Sequence, residues 1–179
     1  YISRKNPEQK LTITDPQGNA FNEQDFPTGM RWYRASLFDV ITLSQPVPGP
    51  WRIVGLDQPE GFATLLTDLK LQLHWPETNI KTGDRMLIQA RLTNKGEGVP
   101  PGDQFKNVIF FSYKIVNAAT GQLVYQGGLN DKAEEGDTQA GDGIYSRTVK
   151  FDLEGEFRAL VSVTAPTFTR QQNISFNVT

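Results

Sequence analysis

The 179 residues include no cysteine. Disulfides, thiolate metal sites and cysteine nucleophiles are therefore excluded. Histidine is almost as scarce, with His74 standing alone. A serine triad needs a base beside its nucleophile, and imidazole-based metal centres generally use more than one ring. No Gly-x-Ser-x-Gly elbow occurs. His74 falls on the polar parity of a strand-like segment, where a solvated structural role is expected. A pair of hydrolytic carboxylates cannot be placed from the sequence, so the chain is read as non-enzymatic.

Long apolar runs are missing as well. None approaches the ~20 residues that a membrane-spanning helix requires, so direct membrane insertion by this segment is not expected. Nor is there an excess of one charge: 18 basic residues face 20 acidic ones. The longest basic run is Arg4-Lys5, which argues against nucleic acid and against a polybasic membrane patch. The chain opens at Tyr1 without an initiator methionine or an apolar leader. It is expected to be a piece of a longer protein, with any targeting signal elsewhere.

Helical periodicity is scarce, and 16 Gly and 11 Pro punctuate the chain. Short alternating segments between turn clusters predict an all-β fold. Leu69, Leu71, Leu73 and Trp75 alternate with Lys70, Gln72 and His74. Met86, Ile88, Ala90 and Leu92 do the same against Arg85, Gln89 and Arg91. A strand points successive side chains to opposite faces, so each such run has one dry and one wet side. Val108 to Val116 is apolar on both parities and is expected to be a central strand. Further strands are expected at Leu123–Tyr125, Ile144–Phe151, Phe157–Val163 and Ile174–Val178. This makes about seven strands, as in an immunoglobulin-like sandwich, here without the Cys…Trp…Cys core.

Residues 1–68 predict a smaller β-sandwich domain ahead of the Ig-like one at 69–179. Its strands are expected at Leu11–Thr14, Met30–Tyr33, Leu37–Leu43, Trp51–Val54 and Phe62–Leu66, with a turn at Asp15-Pro16-Gln17-Gly18. Asp57–Gly61 is a candidate boundary, and the junction is placed near Thr67-Asp68. A β unit of this size without a disulfide is marginal, so it is expected to lean on neighbouring chain.

The richest stretch for chemistry is Leu129 to Ser146, where Asp131, Glu134, Glu135, Asp137 and Asp142 oppose only Lys132. Carboxylates and carbonyls on a flexible loop are what calcium uses. Asp131, Glu135, Asp137 and Asp142 are the candidate ligands. The EF-hand template itself fails: Ala133 stands where a ligand is needed, and no helices flank the loop. The alternative is a purely structural turn, with Gly141-Asp142-Gly143 aiming Ile144 and Tyr145 into the core. No other cofactor is implied. Among partners, a glycan would stack on an exposed ring of Trp32, Tyr33, Trp51 or Trp75, whereas buried tryptophans would simply fill the cores. A protein partner would use edge strands or the loops at 96–102 and 129–143; its identity is open.

Pro46-Val47-Pro48-Gly49-Pro50-Trp51 resembles a Pro-x-Pro-Gly-x-Trp segment that follows von Willebrand A-type domains in exported proteins. Gly141-Asp142-Gly143-Ile144-Tyr145-Ser146 is similar to an element of sandwich domains in calcium-activated chloride channel regulator-like and bacterial surface proteins, with Asp131 in the acidic loop upstream. Together they resemble an uncharacterised family of exported gammaproteobacterial proteins. In that family a von Willebrand A-like region precedes tandem Ig-like sandwiches. The resemblance implies a periplasmic or cell-envelope location and this architecture; the chain as a whole is read as a structural or interaction segment. It implies no catalytic residues, and the Asp-x-Ser-x-Ser metal motif of von Willebrand A domains is absent. A calcium-stabilised adhesion or carbohydrate-binding module is the alternative reading.

Overall fold

A computed structural model describes residues 1–56, 68–75, 79–99 and 108–179. The expected boundary at Asp57–Gly61, the strand at Phe62–Leu66 and residues 100–102 of the loop at 96–102 lie outside the described residues. No helix occurs among the described residues, and the chain is all-β. It forms two compact units, Tyr1–Leu65 with Pro166–Phe168, and Leu66–Ala165 with Thr169–Thr179.

The first unit has six described strands: β1 (Ile2–Ser3), β2 (Thr12–Thr14), β3 (Ala20–Phe21), β4 (Met30–Arg34), β5 (Phe38–Leu43) and β6 (Arg52–Val54). They form two three-stranded sheets, β1-β5-β4 and β3-β2-β6. Ile2, Leu11 and Ile13 are buried, and Trp32, Ile41, Trp51, Ile53 and Leu56 pack on them. The hairpin from β2 to β3 turns because the Asp15 carboxylate accepts the backbone N–H of Gln17 and Asn19 and the side-chain amide of Asn19. Gly18 supplies the left-handed φ of 91°.

One feature of this unit runs against the alternation of its strands. Arg4 and Asp39 have fully buried side chains and meet at 2.5 Å through Nε and Oδ2. Trp32 Nε1 donates to the other Asp39 oxygen at 2.7 Å. Arg4 spends its remaining N–H groups on the carbonyls of Asn6, Pro7, Ala35 and Phe38. A buried charge is tolerated when it is paired and fully hydrogen-bonded, which is the arrangement here.

In the second unit β7 (Leu69–His74), β9 (Arg85–Asn94) and β13 (Tyr145–Lys150) form one wall, with the short β10 (Glu97–Gly98) returning on β9. The facing wall has the order β12 (Leu123–Gly128), β11 (Phe110–Asn117), β14 (Gly155–Thr164), β15 (Thr169–Val178) and β8 (Asn79–Ile80). β8 pairs with β15 in parallel, so the chain changes walls between β7 and β8. Seven longer strands, three against four, make an Ig-like sandwich.

Its core is the dry parity of each strand. Ile88 of β9, Ile115 of β11 and Val161 and Val163 of β14 are completely shielded. Without a disulfide, Phe176 gathers Trp75, Phe151 and Phe157 at ring separations of 5.1, 5.3 and 5.6 Å. Such aromatic pairs contribute about 0.5–1.5 kcal/mol each beyond area burial. β11 is central, as its two-sided apolar pattern predicts, yet Phe110 at its start is 65% exposed.

Candidate functional site

The acidic loop connects β12 of one wall to β13 of the other. Its near end is fixed by Leu129, which is buried and donates its N–H to the Phe111 carbonyl. Asn130 then bridges to Ser146 through both backbone groups, at 3.0 and 2.8 Å. The Asn130 side-chain amide donates to the carbonyls of Glu134 and Ser146. These contacts hold both ends of the loop together before any carboxylate is considered.

Asp131 closes the far end. Its Oδ1 accepts the N–H groups of Gly141 and Asp142 at 2.6 and 3.1 Å, and its Oδ2 accepts that of Gly143 at 3.0 Å. Gly141 and Gly143 have φ of 74° and 82°, which allows consecutive N–H groups to converge on one side chain. Asp142 Oδ1 accepts the Ile144 N–H at 2.8 Å and leads the chain into β13. Asp137 is buried and its Oδ2 accepts the Ala133 N–H. Ala133 and Glu135 adopt left-handed φ of 58° and 53° without being glycine. Gly136 lies against Thr148 and Leu87, where a Cβ would collide with both side chains.

Three of the four candidate ligands therefore meet. Asp131, Asp137 and Asp142 each offer an oxygen within 4.8 Å of the others. Glu135 does not join them. Its carboxylate pairs with Arg147 of β13 instead. Like charges at that spacing repel by roughly 1–3 kcal/mol per pair at effective dielectrics between water and a protein surface. The backbone N–H donors offset part of this repulsion, and a cation would offset it too. The donor set is all oxygen, which fits a hard cation such as calcium; both Asp131 oxygens are already shared with backbone N–H groups. Next to the cluster, Tyr145 stacks on Phe111 at 4.0 Å. Burial, and secondarily the Asp131 charge, raise its phenol above the ordinary value.

The other candidates are dispersed. His74 is exposed at the end of β7, opposite Gln89. Trp32 is tied to Asp39, Trp51 donates to the Val47 carbonyl at 3.1 Å, and Trp75 lies against Phe176. All three indoles are half-buried. Tyr33 is 38% exposed and sits 6.2 Å from Phe38, which stacks on Tyr1. Asn130 lies inside the loop that the sequence delimits, but its role in tying the loop ends was not foreseen, and neither was Arg147, the partner of Glu135. The available signal was Asn130 immediately before Asp131, since an Asx side chain readily bonds nearby backbone.

No family model matches the chain, and no curated protein matches it. Solved structures do. The chain is similar to a DUF4785 family protein of Legionella pneumophila, with 13% identity, 99% of this chain and 52% of that chain covered, and a TM-score of 0.41. It thus spans about half the length of that protein. It is similar to fibronectin(III)-like modules of CbhA from Clostridium thermocellum, with 10% identity, coverage of 97% and 80%, and a TM-score of 0.36. A CARDB domain of Pyrococcus furiosus, solved in complex with di-metal ions, has 13% identity, coverage of 65% and 95%, and a TM-score of 0.36.

Proposed function

We propose that this chain is a non-enzymatic structural or interaction segment of an exported bacterial envelope protein, in which the sandwich holds the Leu129–Ser146 loop in one conformation. The observation that carries this reading is the use made of the loop's polar groups. Asp131, Asn130 and Asp142 bind the loop's own backbone, and Glu135 pairs with Arg147. Groups used this way build a stiff, acidic surface, and a rigid loop loses little entropy when it meets a partner. The short motifs Pro46–Trp51 and Gly141–Ser146 support the envelope location and a von Willebrand A-like neighbour. Fractionation of cells that express the full-length gene tests the location, and recovery in the cytosol overturns it. Crosslinking in whole cells tests the interaction: a partner adduct formed by the native protein should be lost when residues 132–140 are replaced by a Gly/Ser linker.

A second reading rests on the convergence of Asp131, Asp137 and Asp142 within 4.8 Å. In it the loop takes calcium, with these three side chains as ligands alongside carbonyls and water. Calcium should then raise the melting temperature of the second unit, because a ligand that binds only the folded state stabilises it. An unchanged melt and a flat calorimetric titration at millimolar calcium eliminate this reading and leave the first intact.

A further inference from the structure

Asp142-Gly143 is the only Asp-Gly step in the chain. Such steps are chemically labile when flexible, because glycine has no Cβ to hinder attack by its own nitrogen. The Gly143 nitrogen can attack Asp142 Cγ, forming an N–C bond and expelling the carboxyl oxygen as water. The succinimide that results is reopened by one water at either carbonyl, giving aspartate or isoaspartate. One water leaves and one returns, and no oxidant or cofactor is involved.

In the folded loop both reacting groups are already committed. The Gly143 N–H donates to Asp131 Oδ2 at 3.0 Å, and Asp142 Oδ1 accepts from the Ile144 N–H at 2.8 Å. The Gly141 and Asp142 N–H groups lie on the same Asp131 carboxylate. Swinging the Gly143 nitrogen onto Cγ would dismantle this set together. We infer that Asp142-Gly143 is a latent isoaspartate site and that Asp131 is the group that keeps it closed in the native fold. Isoaspartate routes the main chain through Cβ and Cγ and adds one atom to it directly before Gly143, two residues ahead of Ile144. Tyr145, stacked on Phe111, and Ser146, fully buried and bridged to Asn130, then lose their positions. A single isomerisation would therefore release the loop and the start of β13.

The test follows isoaspartate in the tryptic fragment 133–147 by fragmentation mass spectrometry. The full chain is incubated at neutral pH and physiological temperature, in EDTA so that no cation contributes. A synthetic peptide of residues 139–147 is the unprotected reference. The native chain should isomerise about tenfold or more slowly than the peptide, the factor that corresponds to one charge-assisted hydrogen bond. Asp131→Asn, checked by circular dichroism to remain folded, should recover most of that factor, while Asp137→Asn should not. A native rate equal to the peptide rate overturns the inference. So does a folded Asp131→Asn chain that reacts no faster than native. If Asp131→Asn does not fold, amide hydrogen exchange of the native chain decides in its place, and a Gly143 N–H that exchanges as fast as in the peptide overturns the role of Asp131.

Discussion

Removing the carboxylate of Asp39 should be among the most damaging single changes in the first unit. Asp39→Ala leaves the Arg4 guanidinium with no exposed surface and no counter-charge, and strips the Trp32 indole of its acceptor. Breaking a buried pair from one side typically costs about 3–5 kcal/mol, because the surviving charge remains desolvated. Asp39→Asn keeps an acceptor for Trp32 and should cost less, about 2–3 kcal/mol. The double change Arg4→Met with Asp39→Leu removes both charges and should cost less than Asp39→Ala, since a buried pair is commonly worth little against apolar groups of similar volume. Urea unfolding followed by tryptophan fluorescence reads this out. In a Trp75→Phe background, Trp32 and Trp51 report the first unit alone, which matters because two compact units need not melt as one transition. An Asp39→Ala cost under about 1 kcal/mol, or a double variant worse than the single, would refute this account of the pair.

Phe176→Ala should destabilise the second unit by about 3–5 kcal/mol, since it empties the position on which three aromatic rings converge; a thermal melt of the variant checks it. Gly136→Ala should cost about 2 kcal/mol or more, because φ is 107° and the added Cβ meets Leu87 Cδ1 at 2.7 Å; a denaturant midpoint unchanged from native would contradict that. Asp15 is held below its ordinary value of 3.8 chiefly by the Asn19 side-chain hydrogen bond. Its folded pKa is depressed, so its stabilisation is present above 3.8 and is lost as pH falls through the lower folded value. Asp15→Asn should therefore flatten the acid limb of a stability-versus-pH curve and leave its slope at neutral pH unchanged.

The walls of the second unit were legible because their signal is local. Met86, Ile88, Ala90 and Leu92 alternate in the sequence and line one buried face in the fold, and a period of two permits no other reading once one face is dry. The pair Arg4–Asp39 was not legible, since its burial depends on residues 35 positions apart meeting. Arg4 beside Lys5 reads as an ordinary solvated cation. In the acidic loop, composition brought out Asp131, Asp137 and Asp142, but could not tell that Glu135 turns toward Arg147. Its partner lies 12 residues on, on the neighbouring strand, and Glu135 takes a left-handed backbone that its residue type does not reveal. Phe110 belongs to a run that is apolar on both parities, and the register pairs it with Thr164 on the wet face at the strand's first position.

The Asp131 clasp also makes the acidic loop a separable part. Residues 131 and 141–143 are fastened to each other, so the arc between them is closed by its own ends. Thr138, Gln139 and Ala140 lie at the outside of that arc, all exposed. Foreign sequence spliced there would hang from a buckle already shut, and neither wall of the sandwich would have to yield to receive it.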